Sequence, residues 1–254
     1  MSQQEIHHPP PRIAVLACDV LQDEIALHAA DATHIVETRY FEICLHDRPD
    51  QLRAILAENL AAMDARSDID AVVLVYGLCG RGTIGLRPLH HRMVIPRAHD
   101  CITLFMGSKE AYSDHQHRCP TCYYYTPGWN RARRVPGPEM FETLRQDFAT
   151  RFDEEDVEFL LESQHEQLAM HDTATYIDLG TNTANDEAVY ASKCATFMGW
   201  KFERQQGDPT LLKDLLWGNW DPDRFLILEP GEQLGQATDE SIMRAEMPTP
   251  PTAT

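Results

Sequence analysis

Three cysteines stand at corresponding places in this chain. Cys18 closes the apolar run Ile13-Ala-Val-Leu-Ala17, Cys79 follows Ala71-Val-Val-Leu-Val-Tyr76 across a glycine, and Cys101 comes shortly after Met93-Val-Ile95. Each run has the length and the branched aliphatic content of a buried strand. In an open parallel sheet ligands bind in the crevice at the carboxyl ends of the strands. Cysteines that follow such strands meet in one pocket when the strands are neighbours. A thiolate is a soft anionic donor suited to zinc or to iron, and catalytic zinc commonly takes three protein ligands and keeps one position open. Cys18, Cys79 and Cys101 supply three ligands. His46, just past Phe41-Glu-Ile-Cys-Leu45, is a fourth ligand or a base. The plainer reading of each cysteine is a small buried hydrophobe, and it stays open beside the metal reading.

Arg97-Ala-His99-Asp100-Cys101 brings a cation, an imidazole, a carboxylate and a thiol close together. A nearby cation or metal converts a thiol to the thiolate. Arg97 is therefore a candidate for holding an anionic substrate group. His99 is a candidate acid or base, paired with Cys101 if the chemistry is that of a metal-free thiol enzyme. Alternation puts Arg97, His99 and Cys101 on one face if the strand runs that far, and Asp100 has the simpler role of capping a following helix. The segment Tyr76-Gly-Leu-Cys-Gly-Arg-Gly-Thr-Ile-Gly85 is glycine-rich directly after a strand, yet matches neither a Walker motif nor a dinucleotide fingerprint. Gly77 and Gly80 are read as turn residues that carry Cys79 into the pocket and let backbone N–H groups approach a ligand. Glu24, in the first helix, is a candidate catalytic carboxylate if it faces the pocket rather than water.

Cys119-Pro-Thr-Cys122 is a Cys-x-x-Cys pair with His115 and His117 just upstream. No second pair at zinc-site spacing accompanies it, and its flanks do not read as a strand–helix junction of the thioredoxin type. A loop staple or an incidental pair is the expectation. Cys44 and Cys194 read as core or partly buried residues.

The elements that must position these groups alternate between strand and helix, the signature of an α/β fold. Strands are expected at about 12–18, 34–43, 71–77, 92–97, 174–179, 200–205 and 224–229. Helices are expected at about 21–30, 49–66, 138–151, 153–170, 185–198 and 209–217. Pro49 suits the first turn of the second helix, whose apolar face is Leu52, Ile55, Leu56, Leu60 and Met63. Residues 101–112 admit a helix. Beyond them, 109–130 reads as a long functional loop or lid carrying Lys109, Tyr112 and Trp129 over the site. Residues 1–11 and 245–254 are Pro-rich and polar and read as disordered tails.

The chain has 254 residues, 43% of them hydrophobic, with 22 Lys and Arg against 40 Asp and Glu. That is enough for a sizeable core in one large domain or two small ones. A net charge of −18 disfavours nucleic acid and anionic membranes as partners, because phosphate binding needs clustered cations. No apolar run reaches the roughly 20 residues of a membrane span, and the N-terminus lacks the pattern of a signal peptide. A cytoplasmic location follows as an expectation, in which the 7 cysteines stay reduced and available as ligands.

At these residues the chain resembles a bacterial and archaeal family of unknown function, the domain-of-unknown-function family 1638. The matching pieces are Ala17-Cys18-Asp-Val-Leu-Gln-Asp-Glu24, Leu45-His46-Asp-Arg-Pro49, Val75-Tyr-Gly-Leu-Cys79-Gly80 and Ile95-Pro-Arg97-Ala-His99-Asp100-Cys101. Gly107-Ser-Lys109-Glu-Ala-Tyr112, Thr126-Pro-Gly-Trp129, Gly207-Asp208 and Gly218-Asn-Trp220 add to them. The resemblance covers most of residues 12–231 and implies an association with corrinoid-dependent methyl transfer and one-carbon metabolism. A zinc–thiolate site fits that chemistry, since it activates a small thiol or stabilises a leaving thiolate.

The expectation is an α/β domain over 12–244 with a mainly parallel open sheet and helices on both faces, or two similar halves at 12–137 and 138–244. Its function is expected to be that of a metal-dependent, cysteine-ligated protein of methyl-group metabolism. Zinc is the first choice of cofactor, with iron or an iron–sulfur cluster as the alternative. Its partners are a small-molecule substrate and a corrinoid protein or methyltransferase. A non-enzymatic metal or cluster accessory protein is the second reading and a metal-free Cys/His enzyme the third. The sequence leaves the oligomeric state open.

Overall fold

The computed structural model describes residues 9–248. In chain order the elements are β1 (Ile13–Cys18), α1 (Gln22–His28), β2 (Ile35–Phe41), α2 (Pro49–Asp64), β3 (Ala71–Val75), β4 (Arg92–Pro96) and α3 (Cys101–Met106). There follow α4 (Lys109–Arg118), β5 (Cys122–Tyr125), α5 (Pro127–Arg131), α6 (Pro138–Ala149), α7 (Glu154–Gln167), β6 (Thr173–Asp178) and α8 (Ala184–Met198). The chain ends with β7 (Lys201–Gln206), α9 (Thr210–Trp217), β8 (Phe225–Leu228), β9 (Gln233–Gln236) and β10 (Met243–Glu246).

Contacts divide the chain into two units, and not at 137/138. Among the described residues the first comprises 9–18, 28–104 and 210–248, and the second 19–27 and 105–209. The first holds a mainly parallel sheet of order β2-β1-β3-β4-β8, in which only β8 runs antiparallel, against β4. Its central strands are buried up to the partly exposed Cys18, as expected of parallel strands covered on both faces. The even-numbered residues Ala14, Leu16, Val72, Leu74 and Tyr76 share one core with Leu52, Leu56, Leu60 and Met63 of α2. Period two in the strands and helical spacing in α2 put those residues on facing surfaces. Asp64 at the end of α2 is buried, and its carboxylate accepts the backbone N–H groups of Leu89, His90 and His91 at 2.6, 2.9 and 2.7 Å. That fixes the turn that feeds β4.

The second unit has a parallel three-stranded sheet of order β5-β6-β7 among the described residues. Tyr125, Tyr176, Ala188, Ala191, Cys194 and Ala195 form its core. The small residues of α8 let that helix lie close on the strands, and Gly137 gives way to Cys194: a Cβ there would come within 2.5 Å of its sulfur.

Three expectations need correction. Residues 109–130 are not a loop but α4, β5 and α5, and β5 is a strand of the second sheet. Ser108 caps α4 by accepting the Ala111 N–H at 3.0 Å, and Thr126 caps α5 with Pro127 in its first turn. The run Cys122-Tyr-Tyr-Tyr125 has the aromatic content of a strand. The helix expected over 101–112 is two helices, broken at Gly107 with φ +88°. Near the C-terminus β9 and β10 form an antiparallel hairpin that reaches Glu246, so the expected tail at 245 begins inside a strand. Of the two expected tails, residues 1–8 and 249–254 lie outside the described residues.

Candidate functional site

In the first unit Ala17 pairs with Val75 and Val73 with Val94. Continuing the second register puts Val75 beside Pro96. β1, β3 and β4 therefore end level, and Cys18 closes β1 at the edge of the sheet where Tyr76 and Arg97 start the loops. Cys18 lies on the face of Ala14 and Leu16, and Cys79 packs against the same core.

Backbone bonds then join the two loops that carry Cys79 and Cys101. The Leu78 N–H donates to the Ala98 carbonyl at 2.9 Å, and the Cys79 N–H donates to that of His99 at 3.0 Å. The approach requires a glycine at 77, where a Cβ would lie 2.7 Å from the Asp100 nitrogen and 2.8 Å from the Ala98 oxygen. Thr83, fully buried, donates its hydroxyl to the Gly77 carbonyl at 3.1 Å. Asp100 accepts the Ile102 N–H at 2.9 Å, which is the helix-capping role. β4 ends at Pro96, so Arg97, His99 and Cys101 do not alternate along a strand; Cys101 opens α3 instead.

Cys79, Gly80 and Arg81 have φ of +46°, +63° and +73°. Three successive left-handed residues, two of them carrying a Cβ, make a strained turn of the kind that gathers at functional sites. The sequence signals Gly80 but not its neighbours. Gly80 also meets the His46 loop, where a Cβ would sit 3.1 Å from the His46 carbonyl. His46 is thus brought to the Cys79 turn by its backbone, while its imidazole Nε2 lies 3.4 Å from Asp47.

Tyr76 is the residue that shows how the cysteines are grouped. Its hydroxyl is buried within hydrogen-bonding reach of the Cys18 sulfur. Burial raises its pKa, and the thiols of Cys18, Cys79 and Cys101 all push it further. One phenolic oxygen thus lies within electrostatic reach of all three sulfurs. Burial also pushes the Cys79 thiol up to about 12, helped by Cys18 and Asp100 and opposed by the backbone at Gly77. At neutral pH Cys79 is a thiol, not a thiolate, unless a cation is bound beside it.

The family-model comparison matches a protein family of unknown function over residues 40–216. The chain belongs to the DUF1638 family. No curated protein and no solved structure matches it. In this DUF1638 chain the matched span includes Cys79, Cys101 and His46, while Cys18 precedes it.

The other candidates fall elsewhere. Arg97 donates from Nε to the Pro222 carbonyl at 2.9 Å and from Nη1 to those of Ser241 and Met243 at 3.0 and 2.6 Å. It ties the β9–β10 end of the first unit to the sheet, and an anion site there would have to compete with these bonds. The His99 side chain is exposed. Glu24, Lys109, Tyr112 and Trp129 belong to the second unit. Glu24 does not face water; it is fully buried. Tyr112 stacks edge-on against Tyr124 at 5.7 Å, and Trp129 packs on the second core. Cys119 ends α4 and Cys122 begins β5, with the Cys122 sulfur 3.9 Å from His115 Nδ1.

The donor chemistry of the thiol site suits a soft ion, and the three sulfurs share one neighbour. As the side chains stand, no three His, Cys, Asp or Glu groups among the described residues are set to hold a metal. No helix of the described residues is long and apolar enough to cross a membrane.

Proposed function

We propose that Cys18, Cys79 and Cys101 bind zinc or iron, and that the protein serves methyl-group or one-carbon metabolism in the cytoplasm. The observation that carries the reading is the common reach of the three thiols to the one buried Tyr76 hydroxyl. Each cysteine has a single side-chain torsion with which to close on an ion. The ion would supply Lewis acidity and hold a substrate thiol as its thiolate. Cys79 gives up its proton when it becomes a ligand, which reverses the effect of its burial. Tyr76 donates a hydrogen bond to a sulfur or to a bound substrate atom, and the water-excluding core beneath it strengthens that bond. His46, brought near by its loop, is a base or a fourth donor. A small-molecule substrate is the expected partner, together with a corrinoid protein or methyltransferase.

Burial keeps Cys79 protonated in the absence of a metal, so the metal-free reading falls to Cys101 with His99, because a nucleophile needs its thiolate. The accessory reading, in which the chain carries a cluster for a methyltransferase, differs in colour. Plasma mass spectrometry with an absorption spectrum on protein purified without air tests both. About one zinc per chain, lost in Cys79→Ser, supports the zinc site. Several irons with a visible band support the accessory reading. Metal-free protein, or metal retained in full by Cys79→Ser, defeats the proposal.

A further inference from the structure

The second unit buries a group of polar atoms that the thiol site does not use. Both carboxylate oxygens of Glu24, the Asn130 Oδ1, the Tyr176 hydroxyl and the Glu187 Oε2 are shielded from solvent and have no hydrogen-bond partner among the described residues. Glu24, Asn130 and Tyr176 are each 0% exposed. They are neighbours, not scattered orphans. The Asn130 amide donates to the Glu187 carbonyl at 3.0 Å, and Tyr176 lies within electrostatic reach of Glu24, Asp178 and Glu187. Buried polar groups are nearly always paired, so an orphan group calls for a missing ligand, ion or water.

We propose that Glu24, Asn130, Tyr176 and Glu187 form a buried binding site for a small N–H cation, ammonium or a small primary amine. The orphan atoms decide the class of ligand. Four are acceptors with no proton of their own when the carboxyls are ionised, and only the Tyr176 hydroxyl can donate. An anion would meet like charge, and a water molecule brings two donors. An ammonium group brings three or four, together with a charge that offsets the carboxylates.

The surrounding charges fit this. On its own helix Glu24 has Asp23, which with Asp19 pairs to Arg131 of α5. On β6 Asp178 is held by Arg204 of β7 at 2.5 Å, and Arg133 lies within reach of Glu187. Arg131 and Arg204 thus have acidic partners of their own, and Arg133 bonds chiefly to the Tyr190 hydroxyl. α5 is pressed onto the Asp19–Leu21 turn, where a Cβ at Gly128 would come within 2.0 Å of the Val20 carbonyl. The packing holds Asn130 in place beside Glu187. Burial, with Asp23, raises the Glu24 pKa to about 8, and its own backbone and Arg131 oppose this only in part. A bound cation favours the ionised carboxylate, so binding near neutral pH releases a proton.

The test is calorimetric titration of the full chain with ammonium chloride, against potassium chloride as a cation of similar size without N–H donors. Saturable binding of ammonium and not potassium is expected, weakening roughly tenfold for each pH unit below about 8. Proton release should appear as a dependence of the heat on the buffer's ionisation enthalpy. Glu24→Gln, nearly isosteric with the protonated acid, should weaken binding about tenfold or more and abolish the proton release. Glu187→Gln should also weaken it and provides the check if the first variant does not fold. No saturable binding, equal binding of the two cations, or unchanged affinity in both variants overturns the proposal and leaves a buried water as the explanation.

Discussion

The backbone N–H of Cys79 donates to the carbonyl of His99 at 3.0 Å, so the loop after β3 and the loop after β4 are held as one piece of structure. Gly77 makes that approach feasible. Gly77→Ala would press a Cβ against the backbone of Ala98 and Asp100. We expect a loss of about 1–3 kcal/mol in urea unfolding, and lower metal content in protein that remains folded. An alanine variant with unchanged stability would mean that the loops separate at little cost.

Alkylation followed by mass spectrometry should find Cys79 slow in metal-free protein. Its pKa is about 12, against roughly 8.5 for an unfolded cysteine. The rate at Cys79 should climb about tenfold per pH unit throughout pH 7–10, where an unfolded thiol levels off. The stability contribution of the neutral thiol is complete below about pH 8.5 and declines as pH rises toward the folded value. Rapid modification of Cys79 at pH 7 would contradict its burial as a neutral group.

Arg81 has φ +73° with no glycine to ease it. Arg81→Gly should stabilise the protein by about 0.5–1 kcal/mol in thermal or urea unfolding. The Arg53 side chain donates to the carbonyl of residue 81, not to its side chain, so that bond survives the change. A destabilised variant would show that the arginine side chain supports the turn.

Arg97 serves the fold through three backbone carbonyls. Arg97→Ala should cost about 2–4 kcal/mol. Arg97→Lys should recover little of it, since an ammonium lacks the fork that reaches three acceptors. If Arg97→Ala keeps full stability and loses only substrate affinity, the anion-holding role expected from the sequence is restored.

Glu24 gives a stability signature of its own. Between its ordinary pKa of 4.5 and the folded value of about 8, the folded chain keeps a proton that the unfolded chain has released. Stability must therefore fall as pH rises through that window, by up to about 1.4 kcal/mol per pH unit, and level off above it. Glu24→Gln should remove this component. Urea midpoints for the two proteins at pH 5 and pH 8 should differ more at pH 8, with the variant the more stable.

The strands and helices with strong period were legible in the sequence. The face of α2 and the buried runs of β1, β3 and β4 follow from spacing alone. Short elements were not. β5 is four residues of tyrosine and cysteine whose strand character depends on pairing with β6, a partner far along the chain. The strand order was not legible: only the register of β1, β3 and β4 shows that these three strands are neighbours and end at one edge. The roles of Arg97 and Glu24 were not legible, because both depend on which backbone closes over them. Nothing in the spacing of Glu24 tells a pocket-facing carboxylate from a fully buried one.

The division of the chain bears on how it is made. Residues 105–209 of the second unit are inserted between β4 and its antiparallel neighbour β8. During synthesis β4 emerges early and stays an open edge until the whole insertion has left the ribosome. An unpaired edge strand invites pairing with another chain, and domains tend to fold in order of emergence. The inserted unit thus sets the delay before the first sheet can close, and a stalled or truncated nascent chain ending before β8 exposes β4 to aggregation.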